Sequence, residues 1–90
     1  MSQKFVKFPD MWRVRLAEIQ ADGSVYRVAL YLLDKAGFVN PVTLGNRVLE
    51  KHRVSRHGKW RALEALRNAG LVAIVRRNGK APLVTVRWTD

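Results

Sequence analysis

The chain has 90 residues, enough for one domain with a single core, and its hydrophobic content of 48% indicates a folded globule. Because it has no cysteine, neither a disulfide nor a zinc finger can stabilise it. Residues 47–87 carry eleven lysines and arginines against two acidic residues, so nearly all of the formal net charge of +10 lies in the C-terminal half, which indicates a polyanionic partner.

The first 20 residues predict an arm and an extra helix on a single domain that spans residues 1–90. Pro9-Asp10 is a typical helix start, and apolar residues at helical spacing predict a helix over about 10–20. Exposing this segment to water would be costly, so it either folds back on its own domain or pairs with a second subunit. We expect a homodimer through residues 1–20. The apolar residues concerned are Phe5, Val6, Phe8, Trp12, Leu16 and Ile19.

A second helix is predicted over about 24–36, with the clearest amphipathic pattern in the chain. Ser24 is a candidate N-cap and Gly37 a stop. We expect this helix to form the back of the core and to have only a structural role. Its inward positions are Val25, Val28, Ala29, Leu32, Leu33 and Ala36.

The next segment predicts a short edge strand and a third helix. Residues 38–42 are too short and too interrupted by proline for a central strand, and they favour an edge strand over about 39–42. Thr43 is a candidate N-cap for a helix over about 44–52, whose outward face includes Arg47. Residues 52–54 then form a turn of the length that joins the helices of a helix-turn-helix.

The fourth helix, predicted over about 55–69, has one apolar face and one polar face. Ser55 is its candidate N-cap and Gly70 its stop. The outward face carries His57, Arg61, Glu64 and Asn68, with Trp60 at its edge. Such a face suits a DNA groove, although an ordinary solvated surface helix is the alternative.

A β-hairpin completes the chain, with strands predicted over about 71–77 and 83–88. Asn78-Gly79 is a strong turn signal, and we expect positive φ at both residues, with residues 80–82 lengthening the loop. Alternation predicts that Val84, Val86 and Trp88 share one face. The tip of the hairpin carries Arg76, Arg77 and Lys80.

This order of elements, together with VSRHGKWRALEALRNAGLV at residues 54–72, resembles the winged helix-turn-helix superfamily. The similarity is to bacterial and phage regulators of the GntR-like and MarR-like kind, and it covers about residues 24–87. The resemblance implies an α+β winged helix-turn-helix fold. It also implies that the helix after the turn enters the major groove, while the hairpin, or wing, reaches adjacent backbone or minor groove.

The resemblance and the charge pattern together give eleven candidate DNA-binding residues. Arg61 could pair bidentately with guanine, and Glu64 could accept from cytosine N4. Trp60 is either a contact to sugar or a thymine methyl, or a partly buried core aromatic. The full set is Arg47, Arg53, Arg56, His57, Lys59, Trp60, Arg61, Glu64, Arg76, Arg77 and Lys80.

Two of these candidates depart from the family pattern. Arg53 occupies a turn position that glycine often fills, at a cost of about 1 kcal/mol if the left-handed conformation is kept. Lys59 occupies an inward position that is usually apolar. We expect its stem to pack and its amine to escape to solvent near the helix start.

We therefore expect sequence-specific binding to double-stranded DNA by a small transcription regulator, located in the cytoplasm with the nucleoid. The alternative is a winged-helix interaction module that binds protein or RNA. An enzyme is not expected, because there are no paired carboxylates, no metal-ligand spacing and no serine–histidine set. We expect no cofactor, no metal, no small-molecule effector and no membrane span.

Overall fold

The computed structural model describes residues 8–88, so the candidate arm residues Phe5 and Val6 lie outside the described residues. Within that range the fold is α+β, as predicted, with four helices and a three-stranded antiparallel sheet in the order β1-β3-β2. Each predicted helix is present, and its ends differ from the prediction by at most two residues. The elements are α1 Asp10–Glu18, α2 Gly23–Ala36, β1 Val42–Thr43, α3 Asn46–Lys51, α4 Arg56–Asn68, β2 Val72–Arg77 and β3 Lys80–Val86.

Helix α1 packs on its own domain and joins two distant parts of it. Trp12 and Leu16 are fully buried in the core. The indole N–H of Trp12 donates to the Arg87 carbonyl at 2.6 Å, just beyond β3, and Arg15 donates to the Ala69 carbonyl at 3.1 Å, at the end of α4. These two apolar side chains therefore need no second subunit to cover them, and the homodimer stays a prediction.

Two helices begin differently from their predictions. Asp22, not Ser24, caps α2, because its carboxylate accepts from the Val25 N–H at 3.1 Å. Gly45, not Thr43, precedes α3, because Thr43 is paired with Leu83 in the sheet. The cap of α4 is confirmed, with the hydroxyl of Ser55 accepting from the Gly58 N–H at 3.0 Å.

The turns after α3 and α4 share one hydrogen-bonding pattern. After α4, Gly70 has a φ of +76°, and the Leu71 N–H donates to the Leu66 carbonyl at 3.0 Å. After α3, Arg53 takes the corresponding place with a φ of +60°, and the Val54 N–H donates to the Leu49 carbonyl at 2.9 Å. Both turns satisfy helix-end carbonyls through a left-handed residue, so Arg53 keeps the conformation that glycine often supplies at this position.

The edge strand is Val42–Thr43, shorter and later than the predicted 39–42. The side chain of Asn40 is responsible, because its amide donates to the Val86 carbonyl and its oxygen accepts from the Val86 N–H, both at 3.0 Å. This side chain occupies the place where backbone pairing would continue, and Pro41 has no N–H to offer.

The hairpin turn is tighter than predicted. Asn78 does not have positive φ, whereas Gly79 does, at +69°. Residues 80–82 belong to β3 and not to the loop. The register shift between Val75 and Arg77 leaves two β3 residues opposite one β2 residue, a bulge that accommodates Pro82 in a strand.

The face of β3 is only partly as expected. Val84 and Val86 are buried, whereas Trp88 is 38% exposed and lies beyond the strand. None of the helices in residues 8–88 is long and apolar enough to cross a membrane.

Candidate nucleic-acid interface

Helix α4 presents the predicted polar face to solvent. The buried side of the helix consists of Gly58, Lys59, Ala62, Leu63 and Leu66. His57, Arg61 and Glu64 are exposed, as the helical periodicity predicts, and Trp60 is half-buried at the edge of that face.

The hairpin lies beside α4, and the two form the walls of adjoining clefts. One cleft of about 410 Å³ is lined from α4 by Arg56 and Trp60, and from the hairpin by Lys80 and Pro82. A second cleft of about 320 Å³, on another side of Trp60, is lined by Glu64, Arg67, Ile74 and Arg76. Arg77 joins Trp60 and Lys80 in a third, smaller one. We call the set Arg56, Trp60, Arg76, Arg77 and Lys80 the α4–hairpin surface.

Trp60 of α4 contacts the hairpin and so joins the two elements that line the clefts. The guanidinium carbon of Arg76 lies 4.1 Å from the centre of its ring, and the amine of Lys59 lies 5.1 Å away. Cations at these distances are attracted to the negative face of an aromatic ring. The indole also packs against the core, so Trp60 is both partly structural and partly open to the surface.

Lys59 does not direct its amine to solvent, and that expectation is wrong. The side chain is 3% exposed, and Nζ donates to the Leu44 carbonyl at 3.2 Å and to Asn46 Oδ1 at 2.7 Å. Burial lowers the pKa of Lys59, and the neighbouring charge of Arg56 lowers it further. Two acceptors near the start of α3 therefore draw the amine inward, and Lys59 ties α4 to that segment.

Arg61 is paired with an acid that the sequence did not single out. Its guanidinium donates to Asp22 Oδ2 at 3.1 Å, and both side chains remain more than half exposed. Asp22 is 39 residues away in the chain, so no local pattern could have revealed the pair.

The structure does not bring all the candidates together. The candidates that are exposed but do not line the clefts of the α4–hairpin surface are Arg47, Arg53, His57 and Arg61. Conversely, the candidate set omitted Arg67, whose guanidinium lies 3.6 Å from Glu64. Its spacing of three from Glu64 and seven from Trp60 would have placed it on the same helical face.

Another cleft, of about 680 Å³, contains none of the candidate residues. It lies along the outward side of α2 and is bordered by α3. The ring of Tyr31 there packs against the ring of His52, with 5.6 Å between their centres. Burial raises the pKa of Tyr31, and the negative charge of Asp34 raises it further. Among residues 8–88 no three histidine or acidic side chains are placed to hold a metal ion.

The α4–hairpin surface is thus strongly basic. Four of its five members are cationic, and Glu64, the one acid among residues 8–88 that lines these clefts, is paired with Arg67. Comparison with protein-family models, curated proteins and solved structures finds no match to this chain. The function must therefore be inferred from the geometry and charge of this surface.

Proposed function

We propose that the chain binds double-stranded DNA as a winged helix-turn-helix protein. The observation that carries this proposal is the convergence of one arginine from α4 and three cations from the hairpin around a single tryptophan. A helix, a turn, a second helix and a two-stranded hairpin follow one another in the order of that fold, and the arrangement is compatible with it.

In this proposal α4 enters the major groove and the hairpin acts as the wing. A major groove accepts one α-helix, and the exposed side of α4 is the side free to enter it. Arg76, Arg77 and Lys80 then lie where the adjacent backbone or minor groove passes. Their charges neutralise phosphates and release counterions, which supplies most of the affinity.

Base recognition is assigned to the exposed side of α4. Arg61 pairs with guanine and Glu64 accepts from cytosine N4, while His57 reaches a base or a phosphate. Arg47, Arg53 and Arg56 contact phosphates. Lys59 has a positioning role, because its amine is held by Leu44 and Asn46.

Sequence-specific binding of this kind suits a transcription regulator acting on the nucleoid, and this role is part of the proposal. A homodimer on two half-sites would add the contact area that one small module lacks. Val14 and Ile19, at 56% and 36% exposure, are large apolar side chains of α1 and its end that remain open for such pairing.

Substitution separates the two kinds of contact. Arg76→Ala and Lys80→Ala should weaken binding to every duplex alike, whereas Arg61→Ala should cost about 1–3 kcal/mol on the preferred site alone. Fluorescence anisotropy with labelled duplexes measures both effects, and Arg27→Ala on α2 is the control. Tighter binding to an RNA hairpin than to any duplex DNA would favour the interaction-module alternative.

A further inference from the structure

The carboxylate of Asp22 is shared between two elements that meet beside α4. Its Oδ1 accepts from the Val25 N–H at 3.1 Å and so caps α2. Its Oδ2 accepts from the Arg61 guanidinium, also at 3.1 Å. A single side chain therefore links the start of α2 to the outward face of α4.

The helix cap made by Asp22 reduces the loss of rotational freedom when its carboxylate pairs with Arg61. An exposed pair between two free side chains contributes little to stability, because both must lose rotational freedom to meet. Here the carboxylate is already held by the helix terminus, so only the arginine is ordered by the contact. Both side chains are more than half exposed, so solvent still screens the attraction and the gain in stability stays small. The effect to look for is the orientation of Arg61.

Guanine recognition depends on that orientation. An arginine reads guanine by presenting two N–H groups in one plane to O6 and N7. The guanidinium has five N–H donors, so it can keep one on a carboxylate while another edge faces a base. The Asp22 contact uses one terminal nitrogen of Arg61 and leaves the rest of the group exposed, since the side chain is 59% accessible.

We infer that Asp22 is a positioning residue that orients Arg61 for guanine and thereby sets base preference at one position of the site. This inference rests on the proposed DNA-binding function. Asp22 also brings a negative charge close to the DNA, which lowers affinity for all sequences equally. The signature of positioning is therefore a change in preference and not in overall affinity.

Asp22→Asn is the informative variant. Asparagine caps helices as well as aspartate does, so α2 keeps its cap while the charge that holds Arg61 is lost. Asp10→Asn is the matched control, since it removes the same charge from another aspartate–arginine pair, with Arg13 on α1. Each of the two variants loses one exposed ion pair and one negative charge at a helix start, so their melting temperatures should fall by a similar small amount. Asp22→Ala should lower the melting temperature further, because the cap is lost as well.

The readout is the sequence selected by each protein from a pool of random duplexes. We expect the wild type to enrich guanine at a position where Arg61→Ala loses the preference. Asp22→Asn should reduce that preference by about threefold to tenfold, in the lower part of the range for residues in direct contact. The double variant should match Arg61→Ala, and Asp10→Asn should match the wild type.

The outcomes distinguish the two claims. If Asp22→Asn keeps the guanine preference, or strengthens it because the carboxylate competes with the base, the positioning role is wrong while DNA binding stands. If the wild type enriches no duplex at all, the proposed function fails and the positioning role fails with it.

Discussion

At the scale of single residues, Lys59 shows which features of a side chain the sequence predicts and which it does not. Helical periodicity places this lysine on the inward side of α4, and the structure agrees. The destination of its amine depends on Leu44 and Asn46, which lie 15 and 13 residues earlier. No local pattern contains that information, so the expectation that the amine reaches solvent is wrong.

The buried amine has a consequence for pH. Because the pKa of Lys59 is lowered by burial and by Arg56, the unfolded chain binds this proton more tightly than the folded chain does. The contribution of Lys59 to the free energy of unfolding should therefore increase as pH rises toward the ordinary lysine pKa of 10.5. Denaturant titrations across that range measure it.

Lys59→Met should lack this pH-dependent contribution, because methionine has no proton to lose. Lys51→Met, which removes an exposed lysine from α3, is the control for loss of charge. If the difference between wild type and Lys59→Met stays constant or falls with rising pH, the interpretation of Lys59 as a desolvated cation is incorrect.

The contact between Trp60 and Arg76 can be measured separately. A double-mutant cycle with Trp60→Leu and Arg76→Ala should give a coupling free energy of about 0.5–1 kcal/mol, typical of a cation over an aromatic ring at an exposed site. Chemical denaturation of the four proteins supplies the values. Strict additivity would mean that the hairpin is not held to α4 through this pair.

At the scale of elements, local sequence patterns predict the helix bounds more accurately than the strand bounds. The fourth helix is bounded by Ser55 and Gly70, whose capping chemistry is visible in the sequence. The start of β3 and the position of β1 depend on pairing across the sheet, on the bulge at Pro82 and on the side chain of Asn40. These are contacts between distant residues, so the strand bounds were less accurate.

The contact that Arg15 of α1 makes with the end of α4 is also testable. Arg15→Met keeps most of the apolar stem but removes the donor to the Ala69 carbonyl and the positive charge at the helix C-terminus. We expect a loss of about 1 kcal/mol in the free energy of unfolding. Arg13→Met, on the exposed side of the same helix, should change it by less than half as much. Equal effects of the two substitutions would show that the hydrogen bond from Arg15 to the Ala69 carbonyl does not stabilise the fold.

At the scale of the whole molecule, α1 is part of the core. Leu16→Ala should therefore lower the free energy of unfolding by about 2–5 kcal/mol. This loss should be the same at all protein concentrations, since Leu16 is covered by its own chain. A loss that grows as the protein is concentrated would instead indicate that the segment is buried between subunits.

The charge distribution is the feature of the sequence that most directly supports the proposed function. The sequence alone locates the excess of cations in residues 47–87. It could not indicate which of them converge, because Arg56 and Lys80 come together only when the hairpin packs beside α4. It also could not indicate that Lys59 is turned inward or that Arg61 is paired with Asp22.

The most direct test of duplex binding through the α4–hairpin surface is the dependence of DNA affinity on salt. If about five phosphates are neutralised, the slope of log K against log salt should be about −4 to −5. Arg56→Ala with Lys80→Ala should reduce its magnitude by about 2, and Arg27→Ala with Lys35→Ala on α2 should leave it unchanged. A flat salt response at micromolar affinity, or equal effects of the two double variants, would contradict the proposal.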